Sequence, residues 1–243
     1  MGLAAVFFDL GGTIAHDRKI PNLKEECLRN VAKVLQSKGY VVDDDDVIKT
    51  YDMVFGKAYE ESNRTLNEVD LFEVYSEILS ELNIQPSKEL VNECIKAYYD
   101  KRRRIVMFYP DAKEAIINVR KMGLKTAVVS NANLGFEIAV EELQLDKYFD
   151  ALIASYKVGK KKPHPKIFNE ALNRLNVTPD EVVMVGDSLH ADVYGAKKVG
   201  ITAVWIFRND KTKAEEIIAT AGIKPDYIIR NMYELLDIIK HLI

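Results

Sequence analysis

What this chain lacks narrows its function first. None of its apolar runs approaches the ~20 residues a helix needs to cross a bilayer, so no membrane partner is expected. The two cysteines, Cys27 and Cys94, show no metal-ligand spacing and both fall in stretches of helical pattern. Buried free thiols in a reducing compartment are the expectation for them. Neither sign of charge dominates: 34 Lys and Arg against 37 Asp and Glu leave a net charge of -3, which gives no general affinity for nucleic acid. The amino terminus has neither the basic flank nor the cleavage pattern of a signal peptide, and LAAVFFDL is too short and carries an acid, so a cytoplasmic protein is expected. Internal repeats and low-complexity segments are absent as well.

Two textures divide what is there. From about Asn22 to Arg104 the pattern is helical almost throughout. Leu23, Cys27, Val31, Val34 and Leu35 form one apolar stripe at helical spacing. Asp43 to Asp46 precede a second stripe (Val47, Tyr51, Val54, Phe55, Ala58), as acids favouring a helix amino terminus should. A third runs Val69, Phe72, Tyr75, Ile78, Leu79, Leu82, and Pro86 and Ser87 open a fourth helix with Leu90, Cys94, Ala97 and Tyr98 inward.

The remainder alternates. Short β-branched runs (LAAVFF, LKTAVVS, DALIAS, EVVMVG, TAVWIF) are separated by helical patterns near 111–122, 134–144, 165–175 and 189–199. Each run is nearly all apolar, as strands covered by helices on both faces must be. The expectation is an α/β fold: a doubly wound parallel sheet, built from 1–18 and 105–243, with an all-helical cap of 19–104 inserted after the first strand.

In such a sheet, ligands bind outside the carboxyl ends of the strands, so the residues that end each run matter most. Asp9, Gly11, Gly12 and Thr13 follow the first; Ser130 and Asn131 close the second; Gly186, Asp187 and Ser188 close EVVMVG. In VGKKKPHPKIF, Lys162 precedes Pro163, which holds it extended, and Pro165 suits the first turn of the next helix. Two carboxylates, hydroxyls, an amide, an ammonium and a glycine turn thus share one crevice. That set suits a divalent cation and a phosphate together, with Gly12, Thr13, Ser130, Asn131 and Lys162 as the phosphate-binding candidates.

At FFDLGGT, VVSN, GKKKPHPKIF and MVGDSLHADVYGAKKVG the chain resembles the haloacid dehalogenase-like hydrolases, in order and in spacing, from Met1 to about Asp210. The helical insert matches that family's cap in position and texture only. The resemblance implies a nucleophile at Asp9 that forms an aspartyl-phosphate. It implies magnesium held by Asp9, the Gly11 carbonyl and Asp187, with Asp192 supporting the metal from outside. It also implies phosphoryl binding at Ser130 and Lys162, and a small phosphorylated molecule as substrate. One residue departs from the pattern. The family's phosphatases carry an aspartate where Gly11 stands, to protonate the leaving oxygen and then activate water. Losing a general acid–base typically costs about 10²–10⁴ in rate. A slow phosphatase is therefore one expectation. A 2-haloacid dehalogenase, which expels halide without protonating it, and a poorly catalytic phosphate-binding regulatory protein are the alternatives. Dehalogenases of the family lack a counterpart of Asp187, so GDSLHAD argues against the first of these.

Polar groups near the motifs receive plainer readings. His16 and Asp17 stand where the chain leaves for the cap, and either can face the site and supply the missing proton. His164 and His190 read as surface residues. Lys101 to Arg104 read as bases complementing a helix carboxyl end.

Overall fold

Every residue of the first strand, Ala5–Phe8 (β1), is buried, so both of its faces must be apolar. Ala5 and Phe7 enter one layer and Val6 and Phe8 the other. In this computed structural model, which describes residues 2–208 and 211–243, the expected alternation holds through Ile206. Met1, Asn209 and Asp210, the ends of the stretch that resembles the family, lie outside the described residues. The other core strands are Lys125–Ser130 (β4), Ala151–Ala154 (β5), Val182–Gly186 (β6), Thr202–Ile206 (β7) and Tyr227–Ile229 (β8). They form one parallel sheet in the order β5-β4-β1-β6-β7-β8. The chain builds outward from β1 on one side, then crosses over and builds outward on the other. The crevice at β1 is therefore the topological switch point.

Helices cover both faces. Ala112–Lys121 (α5), Gly135–Leu143 (α6) and Met232–Leu242 (α11) pack on the Val6–Phe8 side. Pro165–Leu175 (α8), Gly195–Lys198 (α9) and Lys211–Ala221 (α10) pack on the other. A short helix, Ser155–Val158 (α7), follows β5. The stretch 189–199 is not one regular helix: Leu189–Tyr194 is π-helical before α9 begins. Strand β8 escapes the apolar-run reading because it is three residues long, edge-placed and half exposed.

The helical block consists of Leu23–Ser37 (α1), Asp44–Thr65 (α2), Leu71–Glu81 (α3) and Lys88–Asp100 (α4), with an apolar core of its own. Three of its helix starts are capped by side chains: Asp43 accepts from the Asp45 N–H, Asp70 from Phe72 and Glu73, and Ser87 from Leu90. Each such cap contributes ~1 kcal/mol. Leu28, Leu35 and Ile78 are wholly buried, each contributing ~1.5–3 kcal/mol by burial. Cys27 and Cys94 are buried free thiols in this core. Phe72, expected inward, is 41% exposed. The block hangs from a two-stranded antiparallel ribbon, Ala15–Asp17 (β2) with Val106–Phe108 (β3), which no apolar periodicity announces. Among the described residues, no helix is long and apolar enough to cross a membrane.

Candidate active site

Asp9 follows β1 and its N–H still donates to the Val185 carbonyl of β6, at 2.9 Å. The carboxylate is thereby fixed at the switch point, almost wholly buried. Lys162 reaches it from the loop between α7 and α8, with Nζ 2.7 Å from Asp9 Oδ1, 2.6 Å from Asp192 Oδ1 and 2.7 Å from the Val129 carbonyl. All three ammonium protons are used. Burial pulls the Lys162 pKa down, but Asp192 and Asp9 more than offset this and leave it raised, so the lysine stays charged. Asp192 Oδ2 also accepts from the Ser188 N–H at 2.9 Å, so both of its oxygens are committed. Burial pushes the Asp192 carboxyl up while Lys162 pulls it back down.

Asp187 stands opposite, open to the cleft, on a loop pinned by the Trp205 indole N–H donating to its carbonyl at 2.8 Å. Partial burial and the neighbouring Asp9 push its carboxyl up to about 6. One carboxylate oxygen from each of Asp9, Asp187 and Asp192 lies within 4.8 Å of the others. An all-oxygen donor set with more negative charge than one lysine can balance fits a hard divalent cation. The backbone accommodates that set through Gly12. Its φ is +79°, and a Cβ there would lie 2.1 Å from Asp187 Oδ2. Gly11 is different: a Cβ there meets nothing within 4 Å, and its φ is not left-handed.

These residues line a cleft of about 750 Å³ together with Gly11, Gly12, Ser130 and Asn131. Two phosphate-binding candidates are placed otherwise than expected. Thr13 is fully buried behind the cleft, and its hydroxyl finds no partner among the described residues. The Asn131 side chain is spent on the Lys162 backbone, accepting from its N–H at 2.6 Å and donating to its carbonyl at 3.0 Å. It holds the lysine loop in register with β4, and one Nδ2 proton is left for a ligand in the cleft that Asn131 lines. His164 is not a mere surface residue either: Nδ1 accepts from the Lys166 N–H and caps α8. His190 is exposed and stacks on Tyr194.

The cleft also contains residues that the motifs do not single out. His16 lines it from β2, its ring tilted on Tyr109 with centroids 4.6 Å apart. Arg102 lines it from the end of α4 and pairs with Asp17 at 2.6 Å, so this member of the basic run does more than meet a helix dipole. Arg208, two residues past β7, is not among the lining residues but braces Tyr109, which is: it donates to the Thr13 carbonyl and to Asp111 Oδ2, both at 2.9 Å, and covers the Tyr109 ring. Burial alone would raise the Asp111 pKa; the bonds from Arg208 and the Met232 N–H lower it instead. The strand-end rule, carried to the TAVWIF run, points to Arg208.

With this fold and site in view, the comparisons with known proteins agree. A family model described as haloacid dehalogenase-like hydrolase matches residues 3–200, and the chain belongs to that family of hydrolases. It is 29% identical over 241 residues to a glyceraldehyde 3-phosphate phosphatase of Pyrococcus furiosus, covering 98% of this chain and 93% of that protein. The solved structure of a HAD phosphatase from Thermococcus onnurineus is 30% identical with a TM-score of 0.61, covering 97% of each chain. A 2-haloacid dehalogenase from Pseudomonas syringae pv. Tomato superposes with a TM-score of 0.73 at 22% identity, covering 98% of this chain and 99% of that one. That last likeness concerns the fold alone.

Proposed function

We propose that this hydrolase is a magnesium-dependent phosphatase of small phosphorylated molecules, with Asp9 as the nucleophile. The observation that carries the reading is the meeting of Asp9, Asp187, Asp192 and Lys162 at the switch point. Phosphoryl transfer depends mainly on positioning and charge neutralisation, and this cluster offers both. Magnesium bound by Asp9, Asp187 and the Gly11 carbonyl would supply the positive charge that lets a carboxylate meet a phosphate dianion. Asp9 attacks phosphorus, the bond to the leaving oxygen breaks, and water later releases phosphate from the aspartyl ester. Lys162 keeps Asp9 oriented and balances charge beside it, with Asp192 holding the lysine in turn. Ser130, 4% exposed at the end of β4, offers its hydroxyl to the phosphoryl oxygens.

Gly11 supplies no proton to the leaving oxygen. His16 lines the same cleft and carries the one side-chain type that ordinarily exchanges protons near neutral pH, so we assign it the substitute role. Dehalogenation is the weaker reading, because displacement of halide at carbon makes no use of an oxygen-rich cation site. The related phosphatases support the same choice, one acting by name on glyceraldehyde 3-phosphate. The test is turnover of a panel of phosphomonoesters with magnesium and in excess chelator, beside halide release from 2-haloacids. Magnesium-dependent phosphate release is expected. Halide release that persists in chelator would overturn the reading.

A further inference from the structure

Two adjacent lysines part company before Pro163. Lys162 turns into the core, whereas Lys161 turns toward the last turns of α2. Its side chain is buried, at 8% exposure, with Nζ 3.0 Å from Ser62 Oγ, 2.7 Å from Asn63 Oδ1 and 5.0 Å from the Tyr59 ring centroid. All three partners are neutral. Among the described residues its hydrogen-bond partners include no carboxylate; Glu68, whose charge acts on it from farther off, is engaged by the Ser155 hydroxyl. Burial pulls the Lys161 pKa down, and Glu68 pulls it back only in part.

A buried ammonium without a counter-ion is destabilising, and the negative end of α2 offsets only a fraction of that. The seam between cap and core does not need the charge. Its backbone already joins it: the Lys161 N–H donates to the Leu66 carbonyl at 3.0 Å, Glu68 N–H to Gly159 at 3.4 Å, and Asn67 bridges Lys160. What the charge does adjoin is a second cavity of about 470 Å³. Phe55 and Tyr59 of α2 and the following Glu68 line one side of it, and Asn131, Lys162 and Ser188, which also line the reaction cleft, line the other.

We infer that Lys161 is a specificity-determining residue that binds a second anionic group, a carboxylate or a phosphate, on the tail of a substrate whose reacting phosphoryl lies at Asp9. The inference rests on the phosphatase reading for the placement of that phosphoryl. It selects dianionic-tailed or carboxylate-tailed phosphates over neutral-tailed ones, because only the former place a counter-charge in contact with the ammonium.

The experiment is calorimetric titration with non-hydrolysable phosphonates of two to five carbons, ended by hydrogen, carboxylate or a second phosphonate. At one chain length or more, wild type should bind an anion-ended compound at least ten-fold tighter than its alkyl counterpart. Lys161→Gln, which keeps a donor for Asn63, and Lys161→Met, which keeps the volume, should both reduce that ratio to within two-fold. Lys161→Arg should retain most of it. The carboxylate and phosphonate arms show which anion is preferred. Absence of tail preference in wild type at every length overturns the inference whether or not the variants fold, as does a preference that survives in the Gln and Met variants. Hydrolysis of the matching phosphates is measured in parallel. If none is turned over, the phosphatase reading fails, and the tail preference still decides the role of Lys161.

Discussion

The core and the cap bury apolar surface by opposite means, and this explains why one displays its chemistry and the other does not. In the core, β1, β4 and β6 are apolar on both faces, so polar residues are displaced to the strand ends, and a parallel sheet brings those ends to one edge. Asp9, Ser130 and Asp187 are neighbours for that reason. In the cap, each helix is apolar on one stripe and polar around the rest, and no common edge gathers the polar groups. Tyr99 reaches the core through Asn133 at 2.7 Å and Arg102 through Asp17, yet nothing in the helical repeat distinguishes them from residues that face solvent.

Removing the proposed nucleophile of the core should give the largest effect. Asp9→Asn is expected to lower kcat by about 10³-fold or more, since the amide cannot form the ester. Its melting curve should stay cooperative, and a variant within a few-fold of wild type would place the nucleophile elsewhere. The complementary change lies in the cap. Leu35→Ala, at a wholly buried site far from the cleft, should cost about 2–5 kcal/mol of stability. Metal affinity, read by titration at a temperature where the variant is folded, should move less than two-fold; a large loss would show that cap packing shapes the metal site.

Gly11→Asp sharpens the contrast within the glycine turn. Because a side chain at Gly11 meets open space, the variant should fold, and kcat/KM should rise about ten-fold more for an alkyl than for an aryl phosphate. Equal changes in a folded, metal-binding variant would mean that no proton was missing. The smallest effect concerns Asp187. Its folded pKa of about 6 exceeds the ordinary carboxylate value, so its contribution favours the metal-free fold at low pH and is lost as pH rises through about 6. Magnesium should therefore raise the melting temperature more at pH 7.5 than at pH 5, by a few degrees, with proton release on binding at the intermediate pH. A magnesium effect independent of pH would contradict that assignment.

Much of the fold is legible in the sequence because burial on two faces leaves continuous apolar runs. The five longer core strands and the four cap helices follow from that physics and from helical spacing. The ribbon of β2 and β3 is not legible, since AHD and VMF carry no period and pair only because two chain crossings lie side by side. Within the site, strand-end position indicated which side chains would meet. It could not indicate how their hydrogen bonds are spent: of the phosphate-binding candidates, Asn131 gives most of its amide to the Lys162 backbone and Thr13 is fully buried. Arg102 reads only as a base at a helix end, and Lys161 is not singled out, for a related reason: a basic run on a helix end or a loop reads as solvated until tertiary packing selects one member of it.

The ribbon has a consequence for exchange of parts between proteins. Asp17 is paired directly with Val106, so the chain enters and leaves the helical insert about 5 Å apart. Any foreign segment whose two ends meet at that separation can be spliced there while the sheet order is untouched, which makes the insert a replaceable cassette on a constant chassis. The same pairing ties the two crossings together as one strip rather than two separate linkers. His16 sits on that strip and lines the cleft from it, so an exchanged cassette would leave it in place.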